Sequence, residues 1–388
     1  MATIQKREGR AKPYRVRFRD LDGVQRSKSF AKKKEAEAFA NTVEADKLRG
    51  TYIDPRAGTR PFGDFAGEWL AAQTFDPSTR QAVGIRLRVH ILPTFGNLPL
   101  SSIRPSTVQA WLRGRQKECA PSTVKVLLAN LSAILNAAVA DGLLTNNPCA
   151  SSAVRAPKLE RRRVVPFTSG EVDRIVRAHP DRYRAVPVVP AGCGLRQGEV
   201  FGLAVEDVDF LRQVVHIRRQ VKLIGGKPVF AAPKGGAERE VPLPETVAVT
   251  LAEHLRAWPA IEVTLPWRDT DGPAHTARLL FTSRQAGHID RNHYNPYIWK
   301  PALRAAGVEP TRDHGMHALR HHYASVLLDG GVSIRALAQY LGHADPGFTL
   351  RTYTHLMPDS EDRARSVVDA ALGPRVAQMW PGGEQDVR

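Results

Sequence analysis

The run from Arg312 to Pro358 leaves the fewest ways to fold. His317 and Arg320 stand three residues apart, so a helix puts them on one face. Ala318, Leu319, Ala324, Val326, Leu327 and Leu328 give that helix an apolar side, and Gly330-Gly331 ends it. Ser333 is a cap for a second helix, Ile334 to Leu341, which Gly342 stops. His343 follows at once, at a helix C-terminus, where the backbone dipole favours a protonated ring. Tyr353 lies beyond Thr349, in a short segment rich in hydroxyls and charge. Two His, an Arg and a Tyr delivered by capped elements suit stabilising a phosphate and attacking it.

Charge points to the same partner. Lys plus Arg number 56 against 39 Asp plus Glu, a net charge of +17. Such an excess suits a polyanion, above all nucleic acid. The three cysteines, Cys119, Cys149 and Cys193, are scattered. They form neither a disulfide frame nor a zinc spacing, which implies a reducing cytosol. The N-terminus has no apolar signal core, and no run reads as a membrane span.

Periodicity divides the chain into modules. In residues 1–57, Tyr14 to Arg19 alternates apolar and basic positions, Asp22-Gly23 marks a hairpin turn, and Val24 to Phe30 continues as a second strand. Thr3 to Lys6 offers a third strand, and Lys32 to Leu48 a helix through Ala36, Phe39, Val43 and Leu48. Residues 1–60 hold 16 Lys/Arg against 8 Asp/Glu, so Arg15, Arg17, Arg19, Arg26 and Lys28 are candidate DNA contacts on a strand face. Tyr52 to Pro61 reads as a linker.

Residues 62–150 read as an all-α bundle, with Ser106 and Ser122 opening two of its helices and Leu92 to Gly96 breaking the chain. Arg80 and Arg86 are candidate phosphate contacts there. Residues 151–166, with Arg161-Arg162-Arg163, form an extended basic connector. In residues 167–372, Ser169 caps a helix. Arg196 then emerges at a helix start, with Glu199 one turn on to brace its guanidinium. An ordinary Arg-Glu helix pair fits that spacing equally well. Strands follow at Val214–Gln220, Val229–Ala232 and Glu240–Leu243. Lys234 stands at a turn tip from which it can donate a proton, with Lys227 at the previous turn as the alternative. Residues 259–277 read as a surface insertion and 373–388 as an irregular tail.

His317-Ala-Leu-Arg320-His321, Leu341-Gly342-His343 and Tyr353-Thr-His355, in that order, resemble the C-terminal signature of tyrosine recombinases of the phage integrase family. Gly194-Leu-Arg196-Gln-Gly-Glu199 resembles the family's first arginine motif, and the turn at Lys234 its lysine hairpin. The resemblance implies an arm-binding β-sheet-plus-helix domain, a helical core-binding domain, and a mainly α catalytic domain with a small antiparallel sheet. It further implies a metal-free, ATP-independent site-specific recombinase that works through a 3′-phosphotyrosyl bond and a Holliday junction.

By that resemblance Tyr353 is the nucleophile and Arg196 and Arg320 clamp the phosphate. His317 is the base, His343 bonds the phosphate, and Lys234 protonates the leaving 5′ oxygen. Glu199 and His321 support these groups. The implied partners are double-stranded attachment sites of core and arm type, a homotetramer on DNA, a host DNA-bending protein and an excisionase, in the cytoplasm of a bacterial host at its nucleoid. No cofactor is implied. A type IB topoisomerase uses a similar residue set, and a catalytically silent DNA-binding regulator would keep the fold. A metal site at His317, His321 and His322 lacks a completing carboxylate.

Overall fold

The computed structural model describes residues 2–19, 23–48, 57–159, 164–356, 365 and 368–372. The chain divides into two units, residues 1–161 and 162–388.

In the first unit, β1 (Thr3–Lys6), β2 (Tyr14–Arg19) and β3 (Gln25–Phe30) pair antiparallel in that order. Alternation sends Val16 and Phe18 onto Ala36, Ala40 and Val43 of α1 (Lys33–Leu48), burying all five. Arg15, Arg17 and Arg19 take the opposite face. The register separates the five basic candidates, because Arg26 pairs with Phe18 and Lys28 with Val16. Arg26 and Lys28 therefore rise from the helix side, not from the basic outer face. Lys28 Nζ lies 4.8 Å over the Phe39 ring of α1. Leu48, expected in the helix's apolar stripe, is 90% exposed. Asp22 of the expected turn and residues 52–56 of the expected linker, Tyr52 to Pro61, lie outside the described residues; the rest of that linker includes a short 3-10 turn, Ala57–Thr59.

The same unit holds α2 (Phe62–Ala72), α3 (Pro77–Arg86), α4 (Leu92–Phe95), α5 (Pro105–Glu118) and α6 (Pro121–Ala140). Their core is built on Phe62, Phe95, Leu112, Leu127 and Leu131. Proline opens α3, α5 and α6, where a missing N–H costs no helical bond. Ser106 and Ser122 make no capping bond. A π turn, Leu87–Ile91, carries α3 into α4, so the chain runs on through Pro93 to Gly96. α6 is long and apolar enough to cross a membrane, contrary to the reading of the sequence. Its Leu127, Leu131, Ile134 and Leu135 are fully buried in the bundle core. Arg80 donates to Leu70 O at 2.8 Å and also to Gln73 O, so it closes the C-terminus of α2 and is spent on the fold. Arg86 is half-buried, and Arg161, Arg162 and Arg163 lie outside the described residues.

The second unit begins with α7 (Ser169–Ala178), capped by Thr168 and Glu171 rather than by Ser169. α8 (Ala185–Cys193) and α9 (Gln197–Phe201) follow. β4 (Val208–Asp209), β5 (Val214–Ile217), β6 (Gln220–Ile224), β7 (Lys227–Ala231) and β8 (Arg239–Pro242) make two small antiparallel groups, ordered β4-β5-β8 and β6-β7. After α10 (Glu245–Ala257), the expected surface insertion is instead a hairpin of β9 (Ile261–Pro266) and β10 (Ala274–Leu279). Val263, Leu265, Ala277 and Leu279 alternate inward and anchor it. α11 (Arg291–Tyr294) runs through a π turn into α12 (Lys300–Ala305). α13 (His317–Asp329), α14 (Ile334–Leu341) and α15 (Pro346–Tyr353) complete the unit. Val326 of α13 is 49% exposed, so it does not belong to the apolar side assigned to that helix. The short segment rich in hydroxyls and charge that holds Tyr353 is helical, as α15: Asp345 Oδ1 accepts from Gly347 N at 2.8 Å and Pro346 starts the helix. Residues 373–388 lie outside the described residues.

Candidate active site

α8 ends at Gly194 with φ 68°, and a Cβ there would come within 2.5 Å of the Tyr323 ring of α13. Glycine thus permits both the left-handed turn and the close approach of the two helices. The approach lets Arg320 Nη1 donate to Gly194 O at 2.7 Å. Arg320 is 1% exposed, and its Nη2 donates to Leu341 O, at the end of α14, and to His343 Nε2 at 3.0 Å. Its Nε is a buried donor with no partner among the described residues. Burial, then the charge of Arg196, pushes the Arg320 pKa down to about 9.

Arg196 follows Gly194 by two residues. Its Nη1 donates to Glu199 Oε1 at 2.8 Å and its backbone N to Glu199 Oε2 at 2.8 Å, while Nη2 reaches Gly342 O at 3.3 Å. Glu199 also receives a second arginine. Arg239 of β8 donates from Nη2 to Oε2 at 2.6 Å and from Nη1 to Oε1 at 3.1 Å, and its Nε reaches Tyr340 O at 2.8 Å. Burial opposes ionisation of Glu199, but the bonds and charge of Arg239, then Arg196, hold its pKa at about 2.

Arg239 was not among the expected residues. The signal was present, since alternation puts it on the same strand face as buried Val241. Gly342 closes α14 with φ 62°, and a Cβ there would sit 3.0 Å from Arg239 Cδ.

The histidines divide by partner. His343 Nδ1 bonds Thr349 Oγ1 at 2.7 Å. A guanidinium only donates, so His343 Nε2, facing Arg320, is an acceptor and the ring is neutral. The helix C-terminus was expected to favour a protonated ring; burial, then Arg320 and Arg196, outweigh the dipole and push the pKa down to about 4. His321 Nδ1 is bonded to Tyr353 Oη at 2.7 Å. Burial, then His317, Arg320 and His343, push the His321 pKa to about 3. Tyr353 is 1% exposed, and burial raises its pKa to about 12 against the pull of Arg320 and Arg196.

His317, expected to face Tyr353, instead meets the His321 ring edge-on at 4.7 Å and opens to solvent. Desolvation of its inner side, then Arg320 and Arg196, lowers its pKa. His322 Nδ1 bonds Phe167 O at 2.7 Å, so the three histidines of α13 do not converge. Among the described residues no group of three His, Cys, Asp or Glu is placed to hold a metal.

Lys234 is exposed in a turn closed by Gly236 N on Pro233 O at 2.9 Å. That turn connects β7 to β8, which pair with different strands, so it is not the tip of a hairpin. Lys234 is among the charges acting on His317. Lys227 opens β7, next to Pro228, which lines a separate cavity of about 670 Å³ with Tyr183, Tyr294 and Tyr297.

Residues 166–359 match the model of the phage integrase family, and residues 62–154 match that of the phage integrase central domain. The chain belongs to the phage integrase family. It is a tyrosine site-specific recombinase. It is 29% identical over 361 residues to a putative prophage phiRv2 integrase of Mycobacterium tuberculosis, covering 90% of this chain and 89% of that protein. It is 27% identical to a XerC-like tyrosine recombinase of Caldanaerobacter subterraneus, covering 89% and 92%. The fold matches the Tn1549 transposon integrase solved with transposon right end DNA, at TM-score 0.67 and 19% identity over 80% of this chain and 99% of that one. It also matches a lambda integrase tetramer bound to a Holliday junction, at TM-score 0.57 and 18% identity over 88% and 96%.

The neutral imidazoles of this recombinase should make it acid-sensitive. His321 and His343, with buried His179 and His254, all hold lowered pKa values. Above about pH 6.5 these rings are neutral whether folded or unfolded. Below it the unfolded chain takes up protons that the folded one refuses, so stability falls as pH drops from about 6.5 toward about 4. The unfolding midpoint should decline by several degrees per pH unit across that window; a flat midpoint would mean that the rings titrate freely in the fold.

Proposed function

We propose that this recombinase cuts and rejoins double-stranded DNA attachment sites through a 3′-phosphotyrosyl bond to Tyr353. The observation that carries this reading is the Tyr353 hydroxyl, fixed 2.7 Å from His321 within electrostatic reach of Arg320 and Arg196 on the same chain. A phosphodiester repels nucleophiles, and its transition state gains charge on the phosphoryl oxygens. Arg196 and Arg320 supply compensating donors, with the unpartnered Nε of Arg320 the first available. Glu199 and Arg239 keep Arg196 in place. His343 accepts from Arg320 and donates to Thr349, so it orients the clamp; a direct bond from its Nε2 to phosphate requires it to release Arg320. Lys234, on its exposed turn, protonates the leaving 5′ oxygen. Rejoining reverses these steps with a 5′ hydroxyl from another strand, so no metal or ATP enters.

The likeness to DNA-bound integrases and the net charge of +17 support duplex DNA as the substrate. By the same likeness the working form is a tetramer that passes through a Holliday junction, inserting or excising a phage or mobile element in the bacterial cytoplasm. The outer sheet face of Arg15, Arg17 and Arg19 suits a second, arm-type site. Crowding by Arg15 lowers the pKa of nearby Arg7, which marks that face as a concentrated cationic surface. A host DNA-bending protein and an excisionase would set direction.

The test is a core site nicked near the cleavage point, incubated with the full chain in excess chelator. A covalent adduct should accumulate, and its digest should carry the nucleotide on the peptide containing Tyr353. An adduct at another residue, or one that requires magnesium, overturns the reading.

A further inference from the structure

Resting on that reading, we propose that His321, not His317, is the base that takes the Tyr353 proton during attack and the acid that returns it when the strand is rejoined. The geometry is direct. His321 Nδ1 is 2.7 Å from Tyr353 Oη, a hydrogen-bond distance that needs no rearrangement for proton transfer. His317 touches the pair only through its ring edge against His321, and stands at the solvent side. α13 therefore delivers the phosphate clamp and the base as consecutive residues, Arg320 and His321.

The step balances. The O–H bond of Tyr353 breaks as its oxygen bonds phosphorus, and the proton passes to His321 Nδ1. The bond from phosphorus to the 5′ oxygen breaks, and that oxygen takes a proton from Lys234. In rejoining, the 5′ hydroxyl gives its proton back to Lys234 as its oxygen bonds phosphorus, the phosphotyrosyl bond breaks, and the His321 imidazolium returns its proton to the phenolate.

The groups that face His321 are His317 and Arg320 from α13, His343 after α14, and Tyr353 from α15. Burial and the first three hold the ring neutral, and in the tautomer protonated at Nε2, which the base role requires, Nδ1 accepts from the Tyr353 hydroxyl. The imidazolium formed in attack is offset by the negative charge that grows on the phosphoryl oxygens beside Arg320. Because these surroundings disfavour the imidazolium, it is a strong acid toward the departing phenolate, which suits an enzyme that must reverse its own cut.

Asparagine separates holding from proton transfer, since its Oδ1 can accept the Tyr353 hydroxyl at the Nδ1 position but cannot keep the proton. Single-turnover cleavage of the nicked core site is measured from pH 6 to 10 for wild type, His321→Asn and His317→Asn. The expected result for His321→Asn is a loss of about 10²–10⁴-fold at pH 7, with DNA affinity unchanged. Its rate should then climb about tenfold per pH unit as hydroxide supplies the tyrosinate, while wild type and His317→Asn stay level. Near-wild-type cleavage by His321→Asn, or a slope in His317→Asn instead, overturns the proposal.

If His321→Asn does not bind DNA, His321→Ala with added imidazole decides, because free imidazole can fill the space left by the ring. Saturable recovery supports the base role and no recovery overturns it. An adduct that still forms in Tyr353→Phe defeats the phosphotyrosine reading itself, a separate outcome from either histidine result.

Discussion

Tyr353→Phe should bind attachment-site DNA as wild type does and form no covalent adduct. The substitution removes one oxygen from a ring that stays packed at the end of α15, so the lost contact is the bond to His321 Nδ1. An unpaired nitrogen beside a half-buried surface costs about 1 kcal/mol, too little to unfold a unit of this size. Arg320 keeps its bonds to Gly194, Leu341 and His343, so the phosphate clamp survives. Cleavage, in contrast, loses its only nucleophilic atom and should drop by about 10⁴-fold or more. The paired readouts are a gel shift at fixed salt and the adduct on a denaturing gel. Weakened binding with residual adduct would assign Tyr353 to DNA contact and the nucleophile elsewhere.

The sequence shows the ends of the catalytic helices well and their side-chain partners poorly. Ser333 caps α14 through Ala336 N, and Gly342 ends it in the left-handed region, as the spacing of those residues implied. Caps are local, within four residues, and one strand of sequence contains them. Partners in the site are not local. Arg239 reaches Glu199 across 40 residues and His321 reaches Tyr353 across 32. Helical spacing put His317 and Arg320 on one face but could not say which histidine of α13 would meet a tyrosine on α15. The two faces of the N-terminal sheet failed for a related reason. Alternation within β3 is visible, but only its register with β2 shows that Arg26 and Lys28 share a face with Phe18 and Val16. Arg80 looked like a phosphate contact because its bonds go to backbone carbonyls of α2, and backbone acceptors leave no mark in a sequence.

Glu199→Gln should be the most destabilising single change in the site. The carboxylate is 1% exposed and is the counter-ion of two arginines, one of them almost as buried. Glutamine keeps the shape and removes the charge, which leaves Arg239 buried without compensation and turns an N–H₂ group toward a donor. Breaking a buried pair in this way costs about 3–5 kcal/mol, which lowers the melting midpoint by about 10 °C in a unit of this length. The pH dependence identifies the cause. A carboxyl held at about 2 in the fold and near 4.5 when unfolded contributes stability that is complete above pH 4.5 and fades as pH falls toward 2. Wild type should therefore lose more stability than Glu199→Gln between pH 5 and 3, and the two melting curves should converge there. Cleavage should fail even where the variant is folded, because Arg196 has lost its brace while Tyr353 and His321 keep theirs. Arg239→Ala would unbalance the same carboxylate from the other side and should be similarly unstable. If Glu199→Gln melts within about 2 °C of wild type at pH 7, the two arginines are held by their backbone acceptors at Tyr340 and Gly342 alone, and Glu199 is not what fixes Arg196 beside the phosphate.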